Sequence, residues 1–548
     1  MRSSVLSGIR QLLLNGVLIP VVYLIGLGII AVQHQLFVDW DGPMHYFSAV
    51  EIYSGKGYHG WQSHFWPPLY PLLGGLLARV MDGAAALKMV SVISAALLLY
   101  VVHRFVRWLS GSSAAGCLAQ CLVAVIYVFV HISIQAEDHM LDSLFFISAL
   151  FLLLKNLDGL PPLNLNRRYL LLGMLCALAG LTRYTSYALI PATVITLCLY
   201  YPFKTAVRYG LLVLLGFAVL SAPWWIVNTI HNGSPFATWQ YMNIGAGIFA
   251  ADNFKWWWSG IDHFNSTGDV FRHAPGLYLR NFFRNLVYGP ALILYKGGAV
   301  TIVCLVACGL FMFYYGSRNR WLVLRSRKVL PLLITFVVFL LLVSQAFVFA
   351  EVFLSWMVLA ILYGAWSFYE LIGAGSHAKE NPIRPRSNFI KKALTILIAV
   401  ALCWDLGYTV RHTRLYLNDP AGLEENQAVT AAIKQQDDKL QTKTLMAYHP
   451  GRAYHLGTGF IMLPMYYSGD VSGIITFKGL SNKIKGYAPR FPTAPHIDSI
   501  KADYLVYDSP ARKWLPQFAF LLQRNSPLTP PNFHLVYLSG KTAVYRID

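Results

Sequence analysis

Charged residues are scarce in this chain, at 13% of 548, and acidic ones scarcer: 25 Asp and Glu stand against 44 Lys and Arg. That depletion excludes an ordinary soluble protein, in which about a quarter of the residues are charged. Cysteine is sparse as well. All seven (Cys117, Cys121, Cys176, Cys198, Cys304, Cys308, Cys403) fall inside apolar runs and none in a polar loop, which excludes a disulfide framework for the polar segments. Cys117/Cys121 and Cys304/Cys308 are one helical turn apart, a spacing that suits small residues packing helices better than a metal pair. The chain also lacks a P-loop, a dinucleotide fingerprint, zinc-ligand spacing, a nucleophile elbow, an internal repeat and a low-complexity tract.

What is abundant is apolar sequence. Hydrophobic residues make up 56% of the chain, and runs long enough to cross a bilayer, about 20 residues each, recur along it. They predict a polytopic α-helical membrane protein with about eleven transmembrane helices, at 12–33, 84–106, 113–133, 139–156, 168–184, 185–203, 208–229, 288–316, 329–350, 352–373 and 391–410. No small-residue cleavage site follows the first run, which reads as a membrane helix and not as a removable signal peptide.

The formal charge of +19 is a topology signal and not a nucleic-acid-binding patch. Its cations collect in alternate short loops: Arg2 and Arg10; Arg104 and Arg107; Lys155, Arg167 and Arg168; Lys204 and Arg208; the 318–328 segment; and the 379–392 segment. By the positive-inside rule those loops are cytoplasmic. Loops 34–83 and 230–287, the turns near residues 136, 183 and 351, and everything after about 411 then lie outside. Asp39, Asp41, Glu137, Asp138, Asp142, Glu351 and Arg183 all fall at or near outer helix ends. Ionisable groups at a membrane boundary are costly, so this one-sided cluster is expected to hold the functional site.

Past residue 411 the composition turns polar. A helix at 424–436 and β-type runs at 444–448, 504–507, 535–538 and 543–547 predict a soluble extracytoplasmic α/β domain at 412–548, following a transmembrane domain at 1–411. The glycines around Gly451 and Gly457-Thr458-Gly459 read as turn chemistry.

The first outer loop carries a resemblance. Asp41-Gly42-Pro43-Met44-His45-Tyr46-Phe47-Ser48-Ala49, then Gly55-Lys56-Gly57-Tyr58, then Pro67-Pro68-Leu69-Tyr70-Pro71-Leu72-Leu73 is similar to the first loop of GT-C glycosyltransferases. The nearest group is the protein O-mannosyltransferase and lipid A aminoarabinose transferase superfamily. Met140-Leu141-Asp142-Ser143, Gly180-Leu181-Thr182-Arg183-Tyr184-Thr185 and Pro223-Trp224-Trp225 through Asn232-Gly233-Ser234-Pro235-Phe236 resemble later motifs of that superfamily, in the same order. Gly42 stands where the family usually has Glu, and Trp66 where many members have Lys. Contacts of that lysine to a donor phosphate therefore do not carry over.

The compact loops and the missing disulfides point to a bacterial inner membrane, with the outer face periplasmic, and the resemblance implies a GT-C type membrane glycosyltransferase. Its donor would be a polyprenyl-phosphate sugar, its acceptor a lipid, glycan or protein hydroxyl, and its other partners membrane lipids, with no nucleic acid. A phosphate already leaves well, so the chemistry needs a base for the acceptor hydroxyl and cations for the phosphate. Asp41 is the candidate base, with Asp142 and Asp39 as alternatives; Asp41 could instead cap the helix that Pro43 starts.

His45, Tyr46, His64, Glu137, Asp138, Arg183, Arg280 and Arg284 are candidate substrate contacts. Arg183 reads equally as a snorkelling residue, and Arg280 and Arg284 as part of an interfacial amphipathic helix at 276–288. No cofactor is implied. A divalent metal on Asp41, His45, His59 and His64 would need a spacing that fits no standard site. The competing reading from another class is a transporter or flippase, which would place its charges near the bilayer midplane.

Overall fold

The computed structural model describes residues 8, 11–34, 37, 41–55, 58, 65–158, 164–238, 240–249, 266–324, 326–346, 348–372, 388–417, 420–437, 439–462, 502–514, 516–529 and 531–548. The chain divides into two compact units. One comprises Met1–Gln35, Trp66–Ile226 and Phe282–Leu417; the other comprises Leu36–Phe65, Val227–Asn281 and Asn418–Asp548.

In chain order the helices are α1 (Leu18–Gln33), α2 (Asp41–Tyr53), α3 (Leu69–Leu77), α4 (Gly83–Ser110), α5 (Ser113–Ala124), α6 (Tyr127–Ser133), α7 (His139–Leu157) and α8 (Leu165–Thr182). A 3-10 turn, Tyr184–Ala188, leads into α9 (Leu189–Tyr200), α10 (Phe203–Asn232), α11 (Gln240–Phe249), α12 (Thr267–His273) and α13 (Pro275–Lys296). Then come α14 (Gly298–Leu324), α15 (Leu330–Val343), α16 (Leu354–Leu371), α17 (Asn388–Leu417) and α18 (Pro420–Lys434).

Every apolar run read from the sequence contains a helix. Among the described residues, five helices are long and apolar enough to cross a membrane, or up to seven if each of two bent pairs is one span. α1, Tyr184–Tyr200 and α15 are shorter apolar helices. Two expected spans are not straight. The 113–133 run breaks by 72° between α5 and α6, and the 288–316 run breaks by 113° between α13 and α14.

Local chemistry explains the helix ends. The Asp82 carboxylate accepts from the Ala84 and Ala85 amides, at 3.0 and 3.1 Å, and so caps α4. α14 has no such residue before it. Its Ala299 and Val300 amides donate instead to Asp405 of α17, at 3.0 and 2.9 Å. Gly298, at φ +78°, turns the chain into this helix.

The first unit is one continuous apolar core, running from Ala95 and Leu98 through Phe129, Phe146 and Leu150 to Phe353 and Ile361. Where α8 meets α10 the backbones nearly touch: a Cβ at Gly173 would lie 2.0 Å from the Val213 carbonyl oxygen, and one at Gly216 2.1 Å from that of Leu170. Helices in lipid gain their packing this way, through small residues that allow close approach. Apolar side chains remain exposed on α10 (Leu211, Leu215, Val219) and on α17 (Ile396, Val400, Trp404), as a lipid-facing surface requires.

In the second unit, β1 (Thr444–Ala447) is followed by α19 (Gly451–Leu456), β2 (Gly459–Met462), β3 (Tyr504–Tyr507), α20 (Ser509–Trp514), β4 (Phe533–Leu538) and β5 (Ala543–Ile547). The sheet order is β2-β1-β3-β5-β4, with β1 parallel to β2 and β3, and β5 antiparallel to β3 and β4. α2 belongs to this unit. Its Tyr46 ring stands edge-on to Tyr454 of α19 at 4.6 Å, and Phe37 meets the same ring at 4.7 Å. Arg452 is buried beneath, donating to Asp508 at 3.1 Å, to Glu425 at 2.9 Å and to Asn426.

Candidate active site

An ionisable cluster of the first unit gathers at the start of α7. Asp138 occupies the N-cap position, where a carboxylate meets the positive end of the helix. Arg183 follows α8 in an extended conformation, which ends that helix and aims its guanidinium across at α7. It donates to the Asp138 carboxylate and lies 3.1 Å from His139 Nε2. His139 is in turn 3.8 Å from Glu137. One turn into α7, the Asp142 carboxylate accepts the hydroxyl of Ser186, from the 3-10 turn that follows Arg183.

α4 borders the same end of the bundle. Ser91 donates to the Glu137 carbonyl at 2.9 Å, and Tyr70 lies 3.0 Å from the Ser91 hydroxyl. One turn earlier the fully buried Lys88 donates to the His34 carbonyl at 2.6 Å, with His34 Nδ1 at 3.2 Å. Burial, and secondly the Lys88 charge, hold the His34 pKa down at about 4, so the ring is neutral and its Nδ1 accepts. Burial pushes the Asp138 pKa above the usual carboxylate range, and the Arg183 charge opposes that push.

Four of the sequence-predicted residues, Glu137, Asp138, Asp142 and Arg183, are thus brought together. Asp41, His45 and Tyr46 lie in the second unit on α2. Asp41 is half-buried in its first turn, and His45 is buried one turn on. Asp39 and His64, with His59, lie outside the described residues. Arg280 and Arg284 are both exposed on α13, whose opposite face buries Asn281 and Asn285. Asn285 donates to the Ser344 carbonyl at 3.2 Å and to that of Ala346, holding the segment after α15. Among the described residues no group of three or more His, Cys, Asp or Glu side chains is arranged to hold a metal.

Sequence reasoning missed Lys88, His34, Ser186 and Asn285. A signal existed for Lys88: a charge inside an apolar run is a functional candidate by default. None existed for Ser186 or Asn285, whose roles depend on partners 44 and 59 residues away.

Residues 66–226, the segment that contains this cluster, match the family model described as dolichyl-phosphate-mannose-protein mannosyltransferase. The whole chain resembles two kinds of solved structure. ArnT from Cupriavidus metallidurans bound to undecaprenyl phosphate aligns with a TM-score of 0.56 and 12% identity, over 96% of this chain and 97% of that one. The Archaeoglobus fulgidus oligosaccharyltransferase tethered to an acceptor peptide aligns with a TM-score of 0.55 and 13% identity, over 96% of this chain and 74% of that one. No curated protein sequence matches the chain. The matched segment is thus similar to the mannosyltransferase family, and the fold of the whole chain is similar to that of the two solved membrane glycosyltransferases.

Proposed function

We propose that the protein transfers a sugar from a polyprenyl-phosphate-linked donor to an acceptor hydroxyl on the outer, periplasmic face of a bacterial inner membrane, with inversion at the anomeric carbon. The observation that carries this reading is the Asp138–Arg183 and Asp142–Ser186 constellation, set at one end of an apolar bundle inside the segment matching the mannosyltransferase family. A transporter would place such groups at the midplane. The undecaprenyl phosphate bound by ArnT and the acceptor peptide on the oligosaccharyltransferase support a lipid-phosphate donor and an external acceptor.

In the proposed step the acceptor oxygen attacks the anomeric carbon as the bond to the phosphate oxygen breaks. The phosphate leaves with the electron pair, and the acceptor proton passes to a carboxylate. Asp41 is the proposed base, in the first turn of α2 and one turn before the buried His45. Arg183, Arg280 and Arg284 are the proposed cations for the lipid phosphate.

The test is transfer of radiolabelled sugar from synthetic polyprenyl-phosphate donors by purified protein with a mixed acceptor extract. Loss of transfer in a folded Asp41→Asn variant supports both the reaction and the base. Transfer retained in Asp41→Asn but lost in Asp142→Asn moves the base to Asp142. If wild type consumes no donor while lipid-linked sugar changes leaflet in vesicles, the reading fails.

A further inference from the structure

At the other end of the first unit, about 25 Å along α7 from Asp138 by the rise of a helix, a second set of charges converges. The Trp108 and Phe151 rings lie 5.8 Å apart. The Lys328 ammonium sits 5.3 Å from the Trp108 ring centre, and the Lys155 ammonium 5.2 Å from that of Phe151. The Arg104 and Arg168 guanidinium groups act electrostatically on Lys155. Arg327 donates to the Leu157 carbonyl at 2.7 Å, which brings it to the same end of α7. Two lysines therefore stand over one aromatic pair, with three arginines from α4, α8 and the α14–α15 connection gathered at the same end of the bundle.

Among the described residues none of the five forms a salt bridge. The positive-inside rule accounts for the sign of each loop. It does not account for cations of separate loops meeting on one aromatic floor, where like charges repel unless an anion joins them.

The spacing from Asp138 approaches the thickness of a hydrocarbon core, about 30 Å, which puts this cluster at a headgroup boundary. One turn into the membrane from Arg104 and Arg168, Tyr100 and Leu171 are exposed at 38% and 49%, an apolar track of the kind an acyl chain follows. We propose that Arg104, Lys155, Arg168, Arg327 and Lys328 form a binding site for the phosphate of an anionic phospholipid, separate from the carboxylate cluster at the opposite end. Guanidinium groups take phosphate oxygens bidentately, the ammonium groups held over the rings supply point charge, and basic pockets between membrane helices suit such headgroups.

The test is native mass spectrometry and thermal unfolding of the full chain in neutral detergent, with added phosphatidylglycerol, phosphatidylcholine or inorganic phosphate. Wild type should retain phosphatidylglycerol and melt higher with it, and should gain nothing from the other two. The R104Q/K155Q/K328Q variant should lose retention roughly a hundredfold, at the strength of three basic residues beside an anionic surface. Arg168→Gln alone, a single substitution clear of the aromatic pair, should lose it several-fold even if the triple variant does not fold. K391Q/K392Q removes charge from another basic loop and should leave retention intact. Equal loss in that control, equal binding of phosphatidylcholine, or a full shift with inorganic phosphate would each overturn the proposal.

Discussion

Arg183 reaches back across 45 residues to donate to Asp138, whose side chain is only 3% exposed against 20% for the arginine. Breaking such a pair from one side strands a buried charge. Arg183→Ala should therefore cost about 3–5 kcal/mol, while Arg183→Ala with Asp138→Asn should recover much of it. Without the guanidinium, the Asp138 pKa, already raised by burial, should rise further. A carboxyl whose folded pKa exceeds its unfolded value is stabilising in acid and loses that contribution as pH rises through the folded pKa. Thermal unfolding should thus show the Arg183→Ala deficit largest near neutral pH and shrinking toward pH 4.

His34 predicts the opposite slope. Its folded pKa of about 4 lies below the ordinary 6.5, so between those values the unfolded chain takes up a proton that the folded chain refuses. Its contribution is complete above about pH 6.5 and is lost as pH falls toward 4. His34→Gln should flatten the decline in melting temperature between pH 7 and 5. An unchanged slope would show that the ring does not stay neutral beside Lys88.

The Gly173–Gly216 approach between α8 and α10 predicts a sharp contrast with Gly210. Gly173→Ala or Gly216→Ala must push backbone away from backbone and should cost about 1–3 kcal/mol. Gly210, on the same helix as Gly216, has nothing within 4 Å of an added Cβ. Gly210→Ala should be neutral or stabilising by up to about 1 kcal/mol, and melting of the three variants in one detergent checks the ordering.

Asp405 caps a helix that lies more than 100 residues away in the chain. Asp405→Ala should cost about 1–2 kcal/mol, the worth of a lost cap. Gly298→Ala should cost more, because its φ is +78° and its Cβ would fall 2.5 Å from the Asp405 carboxylate. Proteolysis at the α13–α14 bend, followed over time, should accelerate in both.

Much of the architecture was legible because lipid leaves the backbone few choices: an apolar run must close its own hydrogen bonds and so becomes a helix. The strands at 504–507 and 543–547 were read at their observed bounds, and those at 444–448 and 535–538 within two residues, from their β-branched and aromatic runs. β2 (Gly459–Met462) was not, because Gly457-Thr458-Gly459 read as turn chemistry while the strand is completed by its parallel partner β1. The bend at Ile126 was also hidden, since hydropathy runs unbroken through it, whereas Lys296-Gly297-Gly298 marks the second bend without ending the apolar run.

The sequence by itself determined the membrane class, the helical runs and the ordered motifs that resemble those of GT-C glycosyltransferases. Each is a local property of composition and spacing. Only the tertiary structure decided that Arg183 holds Asp138, that Ser186 holds Asp142, that Lys88 holds His34 and that Asp405 caps α14. It also grouped the first polar loop with the C-terminal sheet, setting Tyr46 against Tyr454. Those partners lie 44 to several hundred residues apart in the chain, and which ones meet depends on how the helices and strands pack, a non-local outcome that no window of sequence contains.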